Sequence, residues 1–349
     1  MRKKQLIFIC PAFPDNDNST HIVPFIQQFT SAFNTQFQDI KIIIVSLYLS
    51  KKSNYIWKNI EVISLGLNNE LRVFRFINFF KGILKTYSLI KKNKTIGILS
   101  FWYTDAAIIG SVVAFLKNVK HYTWLQGQDV LKSNKYMRLF RPKINSLLAL
   151  SNFQNEMFIK SFNKHAFKIV PIGINPSFFP KLNSGNRPYD LMCAASLIPL
   201  KNISLFLEIA LEVKSRYENI KIIIAGSGPM KNELEEFVEK NGLKGNVTFT
   251  GLIPHKETLN LMNNSKILLH TSKFEGGGCV CYEALYSGCN VICTIPLISN
   301  KNISTFYYLK NKSEITTKII EIINHFNKPK RTIVNDINES GKIIYDLYI

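Results

Sequence analysis

At 349 residues the chain exceeds what one ordinary hydrophobic core serves, and the length favours about two domains. With 46% hydrophobic and 19% charged residues it is a globular chain, which excludes a disordered one. The net charge of +20 is uneven: residues 1–180 carry 24 Lys and Arg against 8 Asp and Glu, while residues 181–349 carry 20 against 16. Compositional drift, as in Lys91-Lys92-Asn93-Lys94, accounts for basic richness but not for the asymmetry, which favours an anionic partner for the first half, such as phospholipid, lipid-linked pyrophosphate or nucleic acid.

The start, Met1-Arg2-Lys3-Lys4 before Leu6-Ile7-Phe8-Ile9-Cys10, imitates a signal peptide. Pro11 and Pro14 stop the apolar run without a small-residue cleavage site, so residues 5–10 are expected to form a first buried strand. Further strands are predicted at 41–47, 60–65, 96–101, 121–126, 147–150 and 168–171, then at 190–196, 220–225, 246–250, 266–271 and 290–294. Helical patterns separate them at 19–34, 71–92, 105–117, 151–162, 202–217, 231–241 and 256–264. Residues 96–116 carry one charge, Asp105, over a length that would span a bilayer, but Thr104-Asp105 reads as a helix N-cap between a strand and a helix. Apolar strands alternating with helices imply parallel sheets covered on both faces, in two doubly wound sets.

Prolines and small polar residues interrupt both periods from Pro176 to Pro188. The expected division is a first Rossmann-like domain at 1–175, a linker at 176–188, a second domain at 189–330, and a tail at 331–349 that forms a helix packing back on the first domain. Ligands of open α/β sheets bind beyond the C-terminal strand ends, so a site is expected in a deep cleft between facing domains. The six cysteines, at 10, 193, 279, 281, 289 and 293, fall mostly in apolar runs, as reduced core thiols do. The C-x-C-x7-C-x3-C spacing is not a familiar zinc pattern, and no metal is expected.

The most informative stretch is Glu275-Gly276-Gly277-Gly278-Cys279-Val280-Cys281-Tyr282-Glu283. Consecutive glycines allow close backbone approach to a ligand, and the following helix offers N–H groups to an anion. Ionised carboxylates accept hydrogen bonds only, and so suit sugar or ribose hydroxyls. Phosphate and polyol side by side describe a nucleotide sugar. Two further strand ends carry related elements. Lys201-Asn202 stand before a helix, where a cation opposes the macrodipole but would share an anion with the helix start. Gly226-Ser227-Gly228 follows an apolar strand, a turn that is also common as simple punctuation.

In this order the second half resembles the nucleotide-sugar domain of the retaining glycosyltransferases of family 4, which have the GT-B architecture. The matching segments run from Ile169-Val170-Pro171-Ile172-Gly173-Ile174-Asn175 through Ser196-Leu197 to Lys201-Asn202, Ala225 to Pro229, Val247 to Gly251, and Ser272 to Gly288. The resemblance implies that Lys201 binds the donor diphosphate, Glu275 lies by the donor sugar and Glu283 holds the ribose hydroxyls. It also implies donor contacts from Ser196, Asn202, Gly226, Gly228, Ser272, Gly276, Gly277, Gly278, Cys279 and Val280. Ser196 stands where an arginine commonly pairs with the lysine, and Gln126, in Trp124-Leu125-Gln126-Gly127-Gln128-Asp129, stands where histidine is frequent. The family's glycine-rich turn after the first strand is replaced by Pro11 to Asn18. Asp15, Asn16, Gln126 and Asp129 are the candidates for the acceptor side.

The implied reaction is retaining sugar transfer from a nucleoside-diphosphate sugar, UDP-linked by default, without cofactor or metal. Glu275 and Lys201 act on the sugar and the leaving phosphate, and the acceptor attacks from the front face. The helical segment 71–92, dense in aromatic and basic residues, reads either as a half-buried helix or as one lying on an anionic membrane. A lipid-linked or glycan acceptor at the inner face of the cytoplasmic membrane, as in cell-envelope polysaccharide assembly, fits the charge, and no nucleic-acid-binding motif is present. The alternatives are a non-catalytic nucleotide-sugar-binding protein and a non-hydrolysing sugar-nucleotide epimerase.

Overall fold

The computed structural model describes residues 4–16, 19–48, 53–67, 72–298 and 302–349, with the backbone alone for 72–76. The chain divides into two compact units, one of residues 1–175 with 335–349 and one of residues 176–334. Residues 1–3, which open the stretch that imitates a signal peptide, lie outside the described residues, as do Asp17, Asn18 and Leu71.

The first unit runs β1 (Lys4–Cys10), α1 (Pro24–Gln36), β2 (Ile40–Ser46), β3 (Ser53–Trp57), β4 (Ile60–Ser64), α2 (Arg72–Leu89), β5 (Thr95–Phe101), α3 (Asp105–Lys117), β6 (Lys120–Trp124), α4 (Lys135–Phe140), β7 (Leu147–Ala149), α5 (Asn152–Phe162) and β8 (Lys168–Ile169). The sheet order is β3-β4-β2-β1-β5-β6-β7-β8. All neighbours are parallel except β3 and β4, which pair antiparallel; β4 answers to the strand expected at 60–65, whereas β3 was not expected. Lys58 and Asn59 turn that hairpin with positive φ at both positions, the condition for a two-residue turn matching strand twist. On one sheet face Phe8, Phe29, Phe33, Phe101 and Trp124 form an aromatic core with mostly edge-on contacts. Thr104 does precede α3, but its side chain makes no cap hydrogen bond, which corrects the capping expected of it.

The second unit runs β9 (Tyr189–Ala194), α6 (Ile203–Lys214), β10 (Ile222–Ala225), α7 (Lys231–Lys240), β11 (Val247–Gly251), α8 (His255–Asn263), β12 (Ser265–His270), α9 (Cys279–Tyr286), β13 (Asn290–Cys293), β14 (Phe306–Tyr308) and α10 (Lys312–Asn324). Its six strands are parallel in the order β11-β10-β9-β12-β13-β14. Alternate residues Leu191, Cys193, Ile222, Ile224, Ile267, Leu269 and Ile292 share one core with Phe206, Val213, Leu234, Ile315 and Ile319 of the covering helices. This is the period-2 and period-3.6 matching that burial of both elements demands. The chain ends in α11 (Ile337–Tyr348), which belongs to the first unit. Asp336 caps its N-terminus, the Tyr345 ring stacks on Phe37 at 4.2 Å, and Tyr348 donates a 2.6 Å hydrogen bond to the Ile98 carbonyl.

The stretch 176–188 lies within the second unit, and its Arg187 is fully buried there. The guanidinium donates to the carbonyls of Ser265 at 2.7 Å and Ser287 at 2.8 Å, tying the start of β12 to the end of α9. Truncating it removes the donor to the Ser287 carbonyl and leaves the Ser265 carbonyl with only the weak Cys289 thiol at 3.4 Å. Arg187→Ala should therefore lower the unfolding free energy by about 3 kcal/mol in urea titrations, and Arg187→Lys should recover less than half because one ammonium cannot serve the same fork. An unchanged midpoint for Arg187→Ala would show that the staple contributes nothing.

Candidate functional site

In the second unit the chain winds outward from β9 through β10 to β11, then returns to place β12 on the other side of β9. The β9/β12 boundary is thus the topological switch point, where loops leaving adjacent parallel strands diverge and open a crevice at their C-terminal ends. The loop after β9 carries Ser196, Lys201 and Asn202, and the loop after β12 carries Ser272, Glu275 and the three glycines. Both residues proposed from sequence as catalytic are therefore neighbours at this crevice.

Lys201 ends a short 3-10 turn, Pro199–Lys201, and Asn202 follows in the left-handed conformation at φ 52° before α6 begins. The β12 loop is fastened to this turn. Lys273 N–H donates to the Leu200 carbonyl at 2.9 Å, and the Thr271 hydroxyl donates to the Lys201 carbonyl at 3.1 Å. Across that seam the Lys201 ammonium is bonded to Glu275 Oε1, with both side chains about one-fifth exposed (21% and 16%). Nε2 of the buried His270 lies 3.1 Å from the same oxygen. Burial pushes the Glu275 carboxyl up, but the adjacent His270 imidazole and the Lys201 charge outweigh it and hold the group at about 2, well below the carboxylate range. Sequence reading assigned no role to His270. Its place as the last residue of β12, directly before the polar loop, was the available signal.

Glu283 sits in the second turn of α9 and is buried. Its Oε1 accepts from Cys279 Sγ at 3.6 Å and lies 2.8 Å from His255 Nε2, at the start of α8. Burial works against a proton on His255, and the Glu283 charge overcomes it to raise the imidazole above its ordinary value. His255 was also missed, since 28 residues of sequence separate the pair. Gly276, Gly277 and Gly278 are buried, and Cys279 and Val280 open α9 half-buried. Gly278 stands at φ 66° as the helix N-cap, a position no side chain closes. Ser272 is buried and donates to the Phe274 carbonyl at 3.1 Å, shaping the loop, whereas Ser196 is exposed.

The Gly226-Ser227-Gly228 turn has a definite packing cause. A Cβ on Gly226 would stand 1.9 Å from the Ala195 carbonyl oxygen, and one on Gly228 2.4 Å from the Leu197 carbonyl oxygen. These glycines let the β10 loop lie against the β9 loop, so they shape the crevice whether or not they touch a ligand.

In the first unit the acceptor-side candidates fall on two loops at C-terminal strand ends, Asp15 and Asn16 after β1 and Gln126 and Asp129 after β6. Asp15 accepts from the Ser19 hydroxyl and the Asn16 amide, both at 2.8 Å, in a local exposed turn. Asp129 is buried and accepts backbone N–H groups from Tyr103 at 2.9 Å, Gln126 at 3.2 Å and Gly127 at 3.0 Å. That carboxylate is occupied in organising the loop, and it is the partly buried Gln126 whose side chain has spare hydrogen-bonding groups.

A family model described as glycosyl transferases group 1 matches residues 175–333. The phosphatidylinositol N-acetylglucosaminyltransferase gpi3 subunit of Schizosaccharomyces pombe is 23% identical over 231 residues, 63% of this chain and 50% of that protein. The alpha-monoglucosyldiacylglycerol synthase of Streptococcus pneumoniae is 22% identical over 313 residues, 80% of this chain and 70% of that protein. The chain thus spans about half the length of the first relative. Among solved structures, the sucrose-phosphate synthase of Thermosynechococcus elongatus aligns with a TM-score of 0.76 at 12% identity, covering 99% of this chain and 95% of that one, a likeness of fold.

A carboxyl held at about 2 instead of its ordinary 4.5 contributes stability that is complete above pH 4.5 and is lost as pH falls through 2. The stability difference between the wild-type protein and Glu275→Gln, read by urea unfolding, should be on the order of 3 kcal/mol near neutral pH and shrink steadily below about pH 4.5. A difference independent of pH would mean that the ion pair does not carry it.

Proposed function

We propose that this chain, a group 1 glycosyl transferase over residues 175–333 with the GT-B fold, moves a sugar from a nucleoside-diphosphate sugar to an acceptor hydroxyl with retention of configuration and without a metal ion. The observation that carries this reading is the Lys201–Glu275 pair at the β9/β12 switch point, with a helix N-terminus beside it. A leaving diphosphate accumulates negative charge as the glycosidic bond breaks. Lys201, released from Glu275 by the incoming anion, would balance that charge together with the amides that open α9. Glu275, ionised across the physiological range, would orient the sugar and offset its oxocarbenium character. Glu283 would receive the ribose hydroxyls, its carboxylate held in place by His255. Because the two carboxylates serve different parts of the donor, front-face attack is favoured, with the departing phosphate taking the acceptor's proton.

The acceptor is read as lipid-linked. Ile77, Phe80, Leu84 and Tyr87 stand exposed along α2, and Phe115 and Leu116 stand exposed at the end of α3. Lys117 Nζ sits 3.6 Å over the Tyr87 ring, joining the two helices into one apolar and basic face. Lys81, Leu84 and Lys85 also line a cavity of about 650 Å³ with Asn54, Ser64 and Gly66, where two ammonium groups suit a lipid phosphate. Among the described residues no helix is long and apolar enough to cross a membrane. A face of this kind seats a protein at the headgroup boundary, here the inner face of the cytoplasmic membrane. Both relatives above bear names that join a sugar to a lipid, which supports the same class of acceptor.

Thermal-shift assays with UDP, GDP, ADP and their common sugars test the donor half. One nucleotide series should raise Tm by several degrees, Glu283→Ala should abolish the shift, and slow hydrolysis of the matching sugar nucleotide should mark a transferase. If no nucleotide stabilises the protein, the donor assignment falls. Vesicle sedimentation tests the membrane half. Binding should favour anionic over neutral vesicles at low salt, and the exposed-site double variant Phe80→Ser/Leu84→Ser should weaken it about tenfold or more. Equal binding to both vesicle types would remove the electrostatic part.

A further inference from the structure

Beneath the Lys201–Glu275 pair the tertiary structure collects three metal-ligating side chains that the transfer reaction does not use as ligands. His270 ends β12, Cys281 lies in the first turn of α9, and Cys293 ends β13. One ligand atom from each lies within 4.8 Å of the other two, and the residues are 5%, 0% and 0% exposed. All six cysteines are free thiols, so none of these sulfurs is committed to a disulfide. We propose that His270, Cys281 and Cys293 form a binding site for one thiophilic divalent cation of the zinc class.

The argument is one of donor chemistry and rigidity. Two thiolates and an imidazole are soft to borderline donors, a set that selects zinc-class ions over magnesium or calcium, which take oxygen ligands. Zinc–sulfur and zinc–nitrogen bonds of about 2.3 and 2.0 Å place tetrahedral ligands somewhat under 4 Å apart, so donors already within 4.8 Å need only a small contraction. Each donor is supported by regular structure. The strands β12 and β13 are paired in register with His270 opposite Cys293, and the Ile295 N–H points at the Cys293 sulfur at 3.5 Å. Such outer contacts fix ligand orientation before an ion arrives. Three protein donors leave a fourth tetrahedral position open. His270 is also the residue that faces Glu275 at 3.1 Å, so a bound dication would draw that carboxylate away from Lys201. The ion would then act on the crevice as a regulator and not as a participant. Ion binding itself does not depend on the donor-sugar reading.

The probe is cobalt(II), which reports geometry and ligand type directly. Full-length protein, reduced and freed of metal with a chelator, is titrated with Co²⁺ under anaerobic conditions. One equivalent should produce thiolate-to-cobalt charge-transfer bands and the intense visible bands of a tetrahedral ion, both displaced by Zn²⁺. Cys281→Ala and Cys293→Ala should each weaken binding more than about 100-fold, beyond the loss that an outer contact produces, while Cys10→Ser in the other unit should leave the spectrum unchanged. Should either cysteine variant fail to fold, X-ray absorption of the wild-type cobalt complex decides, with two sulfurs and one imidazole expected in the coordination shell. Absence of charge-transfer bands with all thiols reduced, or a shell without sulfur, overturns the proposal.

Discussion

The second unit depends on the parallel pairing of β9 with β12, two strands separated in sequence by two complete strand-helix repeats. Only this adjacency lets the Lys201 turn and the Glu275 loop be stitched together through the Leu200 and Lys201 carbonyls. Those carbonyls would otherwise need other partners at a half-buried rim. The hydrogen bonds that satisfy them also bring an ammonium and a carboxylate together where water is partly excluded and their interaction is strong.

The same economy recurs around the crevice. Both rim carboxylates have assigned neighbours: the partly exposed Glu275 has Lys201 and His270, and the buried Glu283 has His255 and Cys279. A buried carboxylate without such partners would be neutralised by its own desolvation. The crevice therefore presents charge that is held in register and still exchangeable, since Lys201 is exposed enough to meet an incoming anion. Close backbone packing completes it, because the glycines at 226 and 228 let two loops touch where a methyl group would collide.

Much of this was legible in the amino-acid order. Continuous apolar runs such as Ile222–Ala225, and Ile267 to Leu269 within β12, are buried on both faces, which a parallel sheet under helices requires. What escaped was weak or atypical locally. β14 is three residues long, and β3 is an edge strand alternating exposed and half-buried positions. α10 is dense in Ile and Thr, residues that lower helix propensity, although Asn311 as N-cap and Ile315, Ile319 and Ile322 on one face carried its signal. Asp129 shows the reverse case. Its polarity invited a ligand role, but three backbone N–H groups had already claimed it.

The sequence by itself determined the strand and helix alternation, the glycine-rich loop between two carboxylates, and the order of the elements that resemble a nucleotide-sugar domain. These are local patterns, readable because burial imposes a period of 2 or 3.6 and close approach imposes glycine. The tertiary structure alone decided which groups face one another: Glu275 with His270, Glu283 with His255, and a histidine with two cysteines from three different elements. Such pairings depend on strand order and helix packing, which bring together residues whose separation in the chain carries no signature of contact.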